Sequence, residues 1–314
     1  MKILITGING FVGSHLANLC IGEGDEVYGT IRNRSDLSNL VYLEVKDKVK
    51  LIECELTDAT NVDNIIKEIK PDKIFHLAAQ SYVPTSWKSP AYTLTNNIVS
   101  EVNIFEAVRR FIPECKIMVT GSSEEYGNPH YTPIPEAHPL NPVSPYGVSK
   151  VAQDKLACQY VMSYDLKIVV TRAFNHTGVL RHKNFVCATF AKQVAETKNG
   201  ETIKVGNLEA IRDFTDVRDM VKAYYMALDA GYIKFGTPYN ICSQKGYTIQ
   251  FVLDHLIKYS GKKFNIKQDP DRMRPSDLKE LIGDSKKFRE VTGWENTIPF
   301  AKTLEDMYDY YLMN

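Results

Sequence analysis

What this 314-residue chain lacks limits its function before any motif is considered. It has no run of eighteen apolar residues, so no membrane-spanning helix is expected. It has no charge excess, 38 acidic side chains standing against 38 basic ones, so nothing draws it generally to nucleic acid or an anionic membrane. Its six cysteines, Cys20, Cys54, Cys115, Cys158, Cys187 and Cys242, include no pair two to four residues apart. That argues against a metal-binding motif and gives no disulfide framework. Internal repeats, low-complexity tracts and long linkers are absent too. The opening "MKILITG" has neither a long apolar core nor a small-residue cleavage site and reads as a strand, so a cytoplasmic protein is expected.

What is present is alternation. Short β-branched runs, "KILITG" (2–7), "EVYGTI" (26–31), "VKLIEC" (49–54), "KIFHLAA" (73–79), "KIMVTGSS" (116–123) and "KIVVTRAF" (167–174), alternate with helix-like stretches near 12–22, 60–69, 92–111 and 145–163. Strand then helix, repeated, predicts an α/β fold: a doubly wound parallel Rossmann sheet with helices on both faces. Beyond residue 173 the rhythm changes to polar loops and helices near 186–199, 216–229 and 248–260, with one further strand in "TPYNICS" (237–243). We expect an NAD(P)-binding domain over 1–172 and a smaller C-terminal substrate-binding lobe over 173–314, with roughly 211–243 returning to the Rossmann domain.

"TGINGFVGSHL" follows the first strand and opens a helix, spacing Gly7, Gly10 and Gly13 as Gly-x-x-Gly-x-x-Gly around Phe11 and Val12. Glycines there let backbone turn tightly and approach a pyrophosphate at the positive end of the helix. The same pattern can serve helix packing alone; its place after the first strand of an alternating chain favours a dinucleotide. At the end of the second strand, where an NAD site typically carries a carboxylate, stand Arg32, Asn33, Arg34 and Ser35, donors and positive charge suited to a 2′-phosphate. NADP is therefore favoured and NAD remains open, since a solvated loop would also hold arginines. Glu55 and Leu56, after the third strand, lie where such folds touch the adenine.

"SPYGVSK" puts Tyr146 and Lys150 four residues apart on one helix face, where the ammonium is expected to favour phenolate and fit the phenol for proton exchange with a sugar hydroxyl. Tyr-x-x-x-Lys recurs by chance on many helices; its weight comes from "VTGSSEEYG", which sets Ser122, Ser123, Glu124 and Glu125 at the end of a strand that reaches the cofactor crevice. Capping of a turn is the bland account of that cluster.

The glycines, Ser122 and the Tyr146/Lys150 pair resemble the extended short-chain dehydrogenase/reductase family, and the likeness runs essentially the full chain. Within it, "HLAAQSYVPTSW", "GSSEEYG", "SPYGVSK", "RAFNHTG", "VGNLEAIRDF" and "RPSD" are similar to the GDP-mannose 4,6-dehydratases and the GDP-4-keto-6-deoxymannose reductases. The resemblance implies that Tyr146 takes the C4 hydroxyl proton while hydride leaves C4, that Lys150 and Ser122 support the alkoxide, and that Glu124, within Ser122-Ser123-Glu124, removes the C5 proton and helps expel the C6 hydroxyl. It implies that Leu77, Ala78 and Ala79 line the cofactor. Gln80, Ser81, Asn175, His176, Asn184 and the amide at Val186 would hold sugar and phosphates, with Arg212 and Arg274 as pyrophosphate clamps and Asn207 and Glu209 near guanine.

Glu124 is compatible with reductase relatives as well, and "NHTGVLRHKNFV" departs from the Pro-Arg-Arg-Gly-like stretch of dehydratases. A GDP-hexose or GDP-heptose 4,6-dehydratase is the leading expectation. A C4 reductase or dehydrogenase comes second, and a non-catalytic cofactor-binding module last. Helices near 92–111 and 145–163 pair between subunits in this family, which implies a homodimer or homotetramer. His76 and the aromatics Tyr82 and Trp87 are expected to pack rather than react.

Overall fold

The computed structural model describes residues 1–272 and 278–314. Seven parallel strands form the main sheet: β1 (Lys2–Thr6), β2 (Glu26–Ile31), β3 (Lys50–Glu53), β4 (Lys73–His76), β5 (Lys116–Ser122), β6 (Lys167–Ala173) and β10 (Pro238–Ile241). Their order is β10-β6-β5-β4-β1-β2-β3. The central strands read as continuous apolar runs because both faces are covered, as at Ile3 and Ile5 of β1 and Ile168 to Val170 of β6, all fully buried. The order reverses between β1 and β4, so the loops leaving their carboxyl ends part and open a crevice.

The helices were legible from caps as well as apolar spacing. The helix α1 (Phe11–Gly22) starts at Gly10, α2 (Ser38–Tyr42) is one short turn, and α3 (Ala59–Ile69) is capped by Asp58, whose carboxylate accepts from the Thr60 and Asn61 amides. After α4 (Val83–Lys88), the long α5 (Pro90–Phe111) packs against α6 (Pro145–Tyr164). Ser144 Oγ caps α6 by accepting from the Gly147 amide at 3.1 Å, and Pro145 occupies its first turn.

The remaining chain builds a second layer of structure. β7 (Asn175–Thr177), β9 (Ile211–Asp216), β11 (Gly246–Thr248) and β13 (Glu280–Leu281) form one small sheet, and β8 (Thr202–Val205) pairs with β12 (Asn265–Gln268). Around them α7 (Val186–Glu196), α9 (Ile249–Ser260) and α11 (Phe300–Met313) share a core with Phe190, Val194, Leu253 and Leu304. The helix expected to reach residue 199 stops at Glu196.

Between these pieces the chain rejoins the main sheet. The helix α8 (Val217–Asp229) lies on α1, and β10 forms the sheet edge. It does so again near the end, where α10 (Lys286–Thr292) packs on β10, and Phe288 and Trp294 enter the same core as Ile3 and Tyr224. Trp294 Nε1 donates to the Asp219 carbonyl at 2.9 Å, and the Asp219 carboxylate accepts from the Thr297 and Ile298 amides at 2.8 Å each.

Candidate active site

The crevice begins at the glycine turn. Gly7 sits at φ +67°, a left-handed conformation that favours glycine, and its amide donates to Thr30 Oγ1 at 3.3 Å. A methyl group at Gly13 would stand 2.4 Å from the Gly7 carbonyl oxygen, so only hydrogen fits where α1 meets the loop. Helix α1 therefore presents its first amides, including those of Phe11 and Val12, with no side-chain cap across them. Opposite, Thr6 Oγ1 accepts from the amides of Leu77 and Ala78 at 3.1 Å each and bonds His76 Nδ1 at 2.9 Å, clamping the ends of β1 and β4 together. Burial holds the His76 ring well down, to about 3, so it is a neutral core histidine, as expected.

The loop after β2 is only partly as foreseen. Asn33 and Arg34 are exposed, Arg34 at φ +56°, and Ser35 Oγ accepts from the Arg32 amide at 3.1 Å. The Arg32 guanidinium turns onto α5, donating to Tyr92 Oη at 2.9 Å and Asn96 Oδ1 at 2.8 Å. It still lines a cleft of about 390 Å³ with Ala79, Gln80, Ser81, Tyr82, His182, Asn184 and Phe185. Glu55 is exposed and accepts from Thr57 Oγ1 at 2.9 Å, while Leu56 is buried and its carbonyl accepts from Asn103.

Gln80 is more occupied than a free substrate ligand would be. Its Nε2 donates to Thr93 Oγ1 at 3.0 Å, its Oε1 accepts from the Tyr82 amide at 2.7 Å, and its backbone is gripped from both sides by the Asn97 side chain. Its side chain builds the loop that presents Ser81.

The candidate catalytic residues lie where β5 ends. Ser122 Oγ accepts from the Glu124 amide at 3.2 Å, and the Ser122 amide donates to Glu125 Oε1 at 2.6 Å, so a capping box shapes a single 3₁₀ turn over Ser123–Glu125. The capping account of this cluster is thus realised. The box buries Glu125 and Ser123 and leaves Glu124 half-exposed on the side of Tyr146, whose phenol its charge influences. Gly147 lets α6 approach, because a methyl there would stand 2.8 Å from the Glu124 carbonyl oxygen.

Tyr146 is nearly buried, and its hydroxyl lies close to the Ser122 side chain. Burial raises the phenol above its ordinary range; the Ser122 side chain and the Arg181 guanidinium oppose that rise, and Glu124 and Glu125 add to it. Lys150, expected to do the lowering, has its own hydrogen bond elsewhere. Its Nζ turns to the Thr120 carbonyl at 2.7 Å and stands 6.0 Å from the Tyr146 ring centroid. Burial lowers Lys150 to about 8, with Glu101 and Glu125 resisting.

The far wall comes from β7 and the loop behind it. His176 stacks on Phe11 with centroids 6.3 Å apart, and its Nδ1 meets the Phe174 carbonyl at 3.0 Å. Burial and the nearby Arg181 lower it to about 4, so it is neutral. Asn175 pairs in register with Phe214, Asn184 is exposed with its amide 3.3 Å from His182 Nδ1, and Val186 begins α7. Arg212 is buried in β9 and donates to the Ile211 carbonyl at 2.8 Å, while Asn207 Oδ1 accepts from the Glu209 amide at 2.9 Å. Arg274 lies outside the described residues.

Sequence inspection passed over Arg181. Its guanidinium lies 4.9 Å from the Phe11 ring centroid and 3.5 Å from that of Phe185, and among the described residues no carboxylate stands at ion-pair distance. Burial lowers it only to about 10, so it keeps its charge, directly beside the first turn of α1. Its position five residues beyond His176 was the available signal.

A glycine turn in which Gly13 admits no methyl group, uncapped helix amides and a cation with no anionic partner among the described residues together suit a bound pyrophosphate. Comparison with known proteins agrees with that chemistry. Residues 4–307 match the family described as GDP-mannose 4,6 dehydratase. The chain is 33% identical to GDP-mannose 4,6 dehydratase 2 of Arabidopsis thaliana, covering 98% of this chain and 85% of that one. It is 29% identical to the GDP-6-deoxy-D-mannose reductase of Pseudomonas aeruginosa, covering 96% and 94%. The solved structure of RMD from Pseudomonas aeruginosa complexed with NADPH superposes with a TM-score of 0.84 at 26% identity, over 99% of both chains.

Proposed function

Because the chain belongs to the GDP-mannose 4,6-dehydratase family, we propose that it is a nucleotide-sugar 4,6-dehydratase acting on GDP-mannose or a GDP-manno-heptose with bound NADP. The observation that supports this over simple C4 redox chemistry is that the 3₁₀ turn buries Glu125 and leaves Glu124 half-exposed, with its charge acting on the Tyr146 phenol. A reductase needs no second base there. The reductase relative keeps the alternative specific: a C4 reductase would use Ser122, Tyr146 and Lys150 alone.

The Gly7–Gly13 turn, the α1 amides and Arg181 would hold the dinucleotide, and Arg34 at the β2 end would meet a 2′-phosphate. NADP supplies the acceptor, and later the donor, of one hydride. Tyr146 takes the proton from the C4 hydroxyl as hydride departs, and Ser122, close to that phenol, donates to the developing oxyanion. Lys150 would favour by its charge the phenolate that Tyr146 must be before it takes that proton. The C4 ketone acidifies C5, and Glu124 removes that proton and delivers it to the C6 hydroxyl, which leaves as water. Return of the hydride to C6, with the proton that Tyr146 took from the C4 hydroxyl passed back to C5, would close the turnover with no cofactor consumed.

The test is incubation of the purified protein with GDP-mannose or the heptose analogue and no added dinucleotide. A 4-keto-6-deoxy product supports the dehydratase; turnover that demands stoichiometric NAD(P)(H) supports the reductase instead. Glu124→Gln is expected to lower dehydration at least 100-fold while C4 oxidation stays detectable by nicotinamide absorbance. Dehydration at the wild-type rate would remove Glu124 from the role.

A further inference from the structure

Behind the Ser122, Tyr146 and Lys150 set lies a group of five buried ionisable side chains: Glu101 of α5, Lys150 and Asp154 of α6, Arg172 of β6 and Glu125 of the turn. Two cations face three carboxyls. Arg172 claims two of them, with Nε 2.9 Å from Asp154 Oδ2 and 3.3 Å from Glu125 Oε2. Glu101 is left to Lys150, beyond hydrogen-bond range, and to the amide of Gln153, whose Nε2 donates to Glu101 Oε2 at 2.7 Å.

The other halves of that contact do not match if Glu101 is a carboxylate. Glu101 Oε1 and Gln153 Oε1 are both buried and both lack partners. Two buried acceptors without donors cost about 1–3 kcal/mol each. A proton on Glu101 turns one of them into a donor beside the other and closes a two-bond acid–amide ring. The same fully buried carboxyl gives the Lys150 ammonium its strongest electrostatic support.

We propose that Glu101 and Lys150 share one proton, which makes Glu101 a positioning residue that sets the charge on the catalytic lysine. With the proton on Glu101, the ring with Gln153 is closed and Lys150 is neutral. With it on Lys150, the ammonium donates to the Thr120 carbonyl and faces an anionic Glu101. The transfer breaks one O–H bond, forms one N–H bond and leaves the net charge of the group unchanged. Phenolate at Tyr146 draws the proton toward Lys150, so the positive charge grows when turnover needs it. Two further groups bear on the cluster: Lys155 stands 3.7 Å from Asp154 Oδ1, and His76 of β4, kept neutral by burial, lies near Lys150. On α3, Asp63 is bound to Arg110, Lys67 lies over the Phe111 ring and Glu68 is exposed; Lys88 of α4 and Lys155 of α6 are exposed.

Glu101→Gln tests this. The new amide can still donate to and accept from Gln153, but it cannot exchange a proton. The variant, with NADP bound and the sugar nucleotide as substrate, is expected to unfold within about 3 °C of wild type. The alkaline limb of its turnover profile is expected to move about one pH unit lower, a tenfold loss on that side. A folded variant with the wild-type limb overturns the proposal. Glu101→Met, which removes the ionisable group without adding a polar one, is expected to move the limb the same way. An infrared titration of the wild-type protein needs no substrate, so its outcome is separate from that of the dehydratase reading on which the role rests. It should show a buried carboxylic-acid band that disappears in step with the alkaline limb; absence of any such band overturns the shared proton.

Discussion

Alanine at Gly13 would set a methyl carbon 2.4 Å from the Gly7 oxygen, 2.8 Å from the Ile8 Cα and 2.9 Å from the Ile8 oxygen. All three are backbone atoms, so no side chain can swing aside. Ordinary contact begins near 3.4 Å, which requires α1 to retreat from the glycine turn by about 1 Å. Overpacking of this kind costs about 1–3 kcal/mol of stability. The larger effect should fall on the dinucleotide, because the amides that would face its pyrophosphate retreat with the helix. Losing one charge-assisted hydrogen bond is worth about 1.5–3 kcal/mol, or roughly 10- to 150-fold in Kd. Gly22→Ala is the control: it makes the same change in the same helix, where a methyl meets nothing within 4 Å. It should be neutral or stabilising by up to about 1 kcal/mol. Urea unfolding and NADPH fluorescence titration of both variants decide the matter. Wild-type NADPH affinity in a folded Gly13→Ala protein would refute the cradle.

Two further outcomes follow from the same geometry. Arg181→Met keeps packing against Phe11 and Phe185 but removes the cation beside α1, so NADPH affinity should fall about 10- to 100-fold with unfolding unchanged; a twofold change or less in the fluorescence titration would contradict this. Asp213 accepts from the Ser243 amide and hydroxyl and from the Gln244 and Gly283 amides, yet burial dominates and raises it from 3.8 to about 6. The folded state therefore holds a proton that the unfolded chain releases between about pH 4 and pH 6, and this group's contribution to stability is lost as pH rises through that window, by about 3 kcal/mol. The stability gap between wild type and Asp213→Asn, followed by urea unfolding, should close by that order from pH 4 to pH 6; a constant gap would contradict it.

The fold was readable because its determinants are local. Fully buried parallel strands leave apolar runs such as those of β1 and β6, and α6 announces itself by Ser144 and Pro145. The positions of Tyr146, Lys150 and Ser122 follow from those elements. Side-chain direction did not, because partners distant in sequence decide it. Lys150 turns to Thr120, Gln80 is tied to Thr93, and Arg32 is drawn to Tyr92 and Asn96. Arg181 was missed for a related reason: an arginine acquires meaning only once the fold denies it a carboxylate. Phe288 and Trp294 return to the main core through a contact with Asp219 that no local pattern encodes.

The proposed chemistry is tested most directly by isotope position. GDP-mannose carrying deuterium at C4, or the heptose analogue labelled likewise, incubated without added dinucleotide, should yield a 4-keto-6-deoxy product with the deuterium at C6. Product without the label at C6, or label appearing only in a separately supplied nicotinamide, would contradict a hydride that leaves and returns within one turnover.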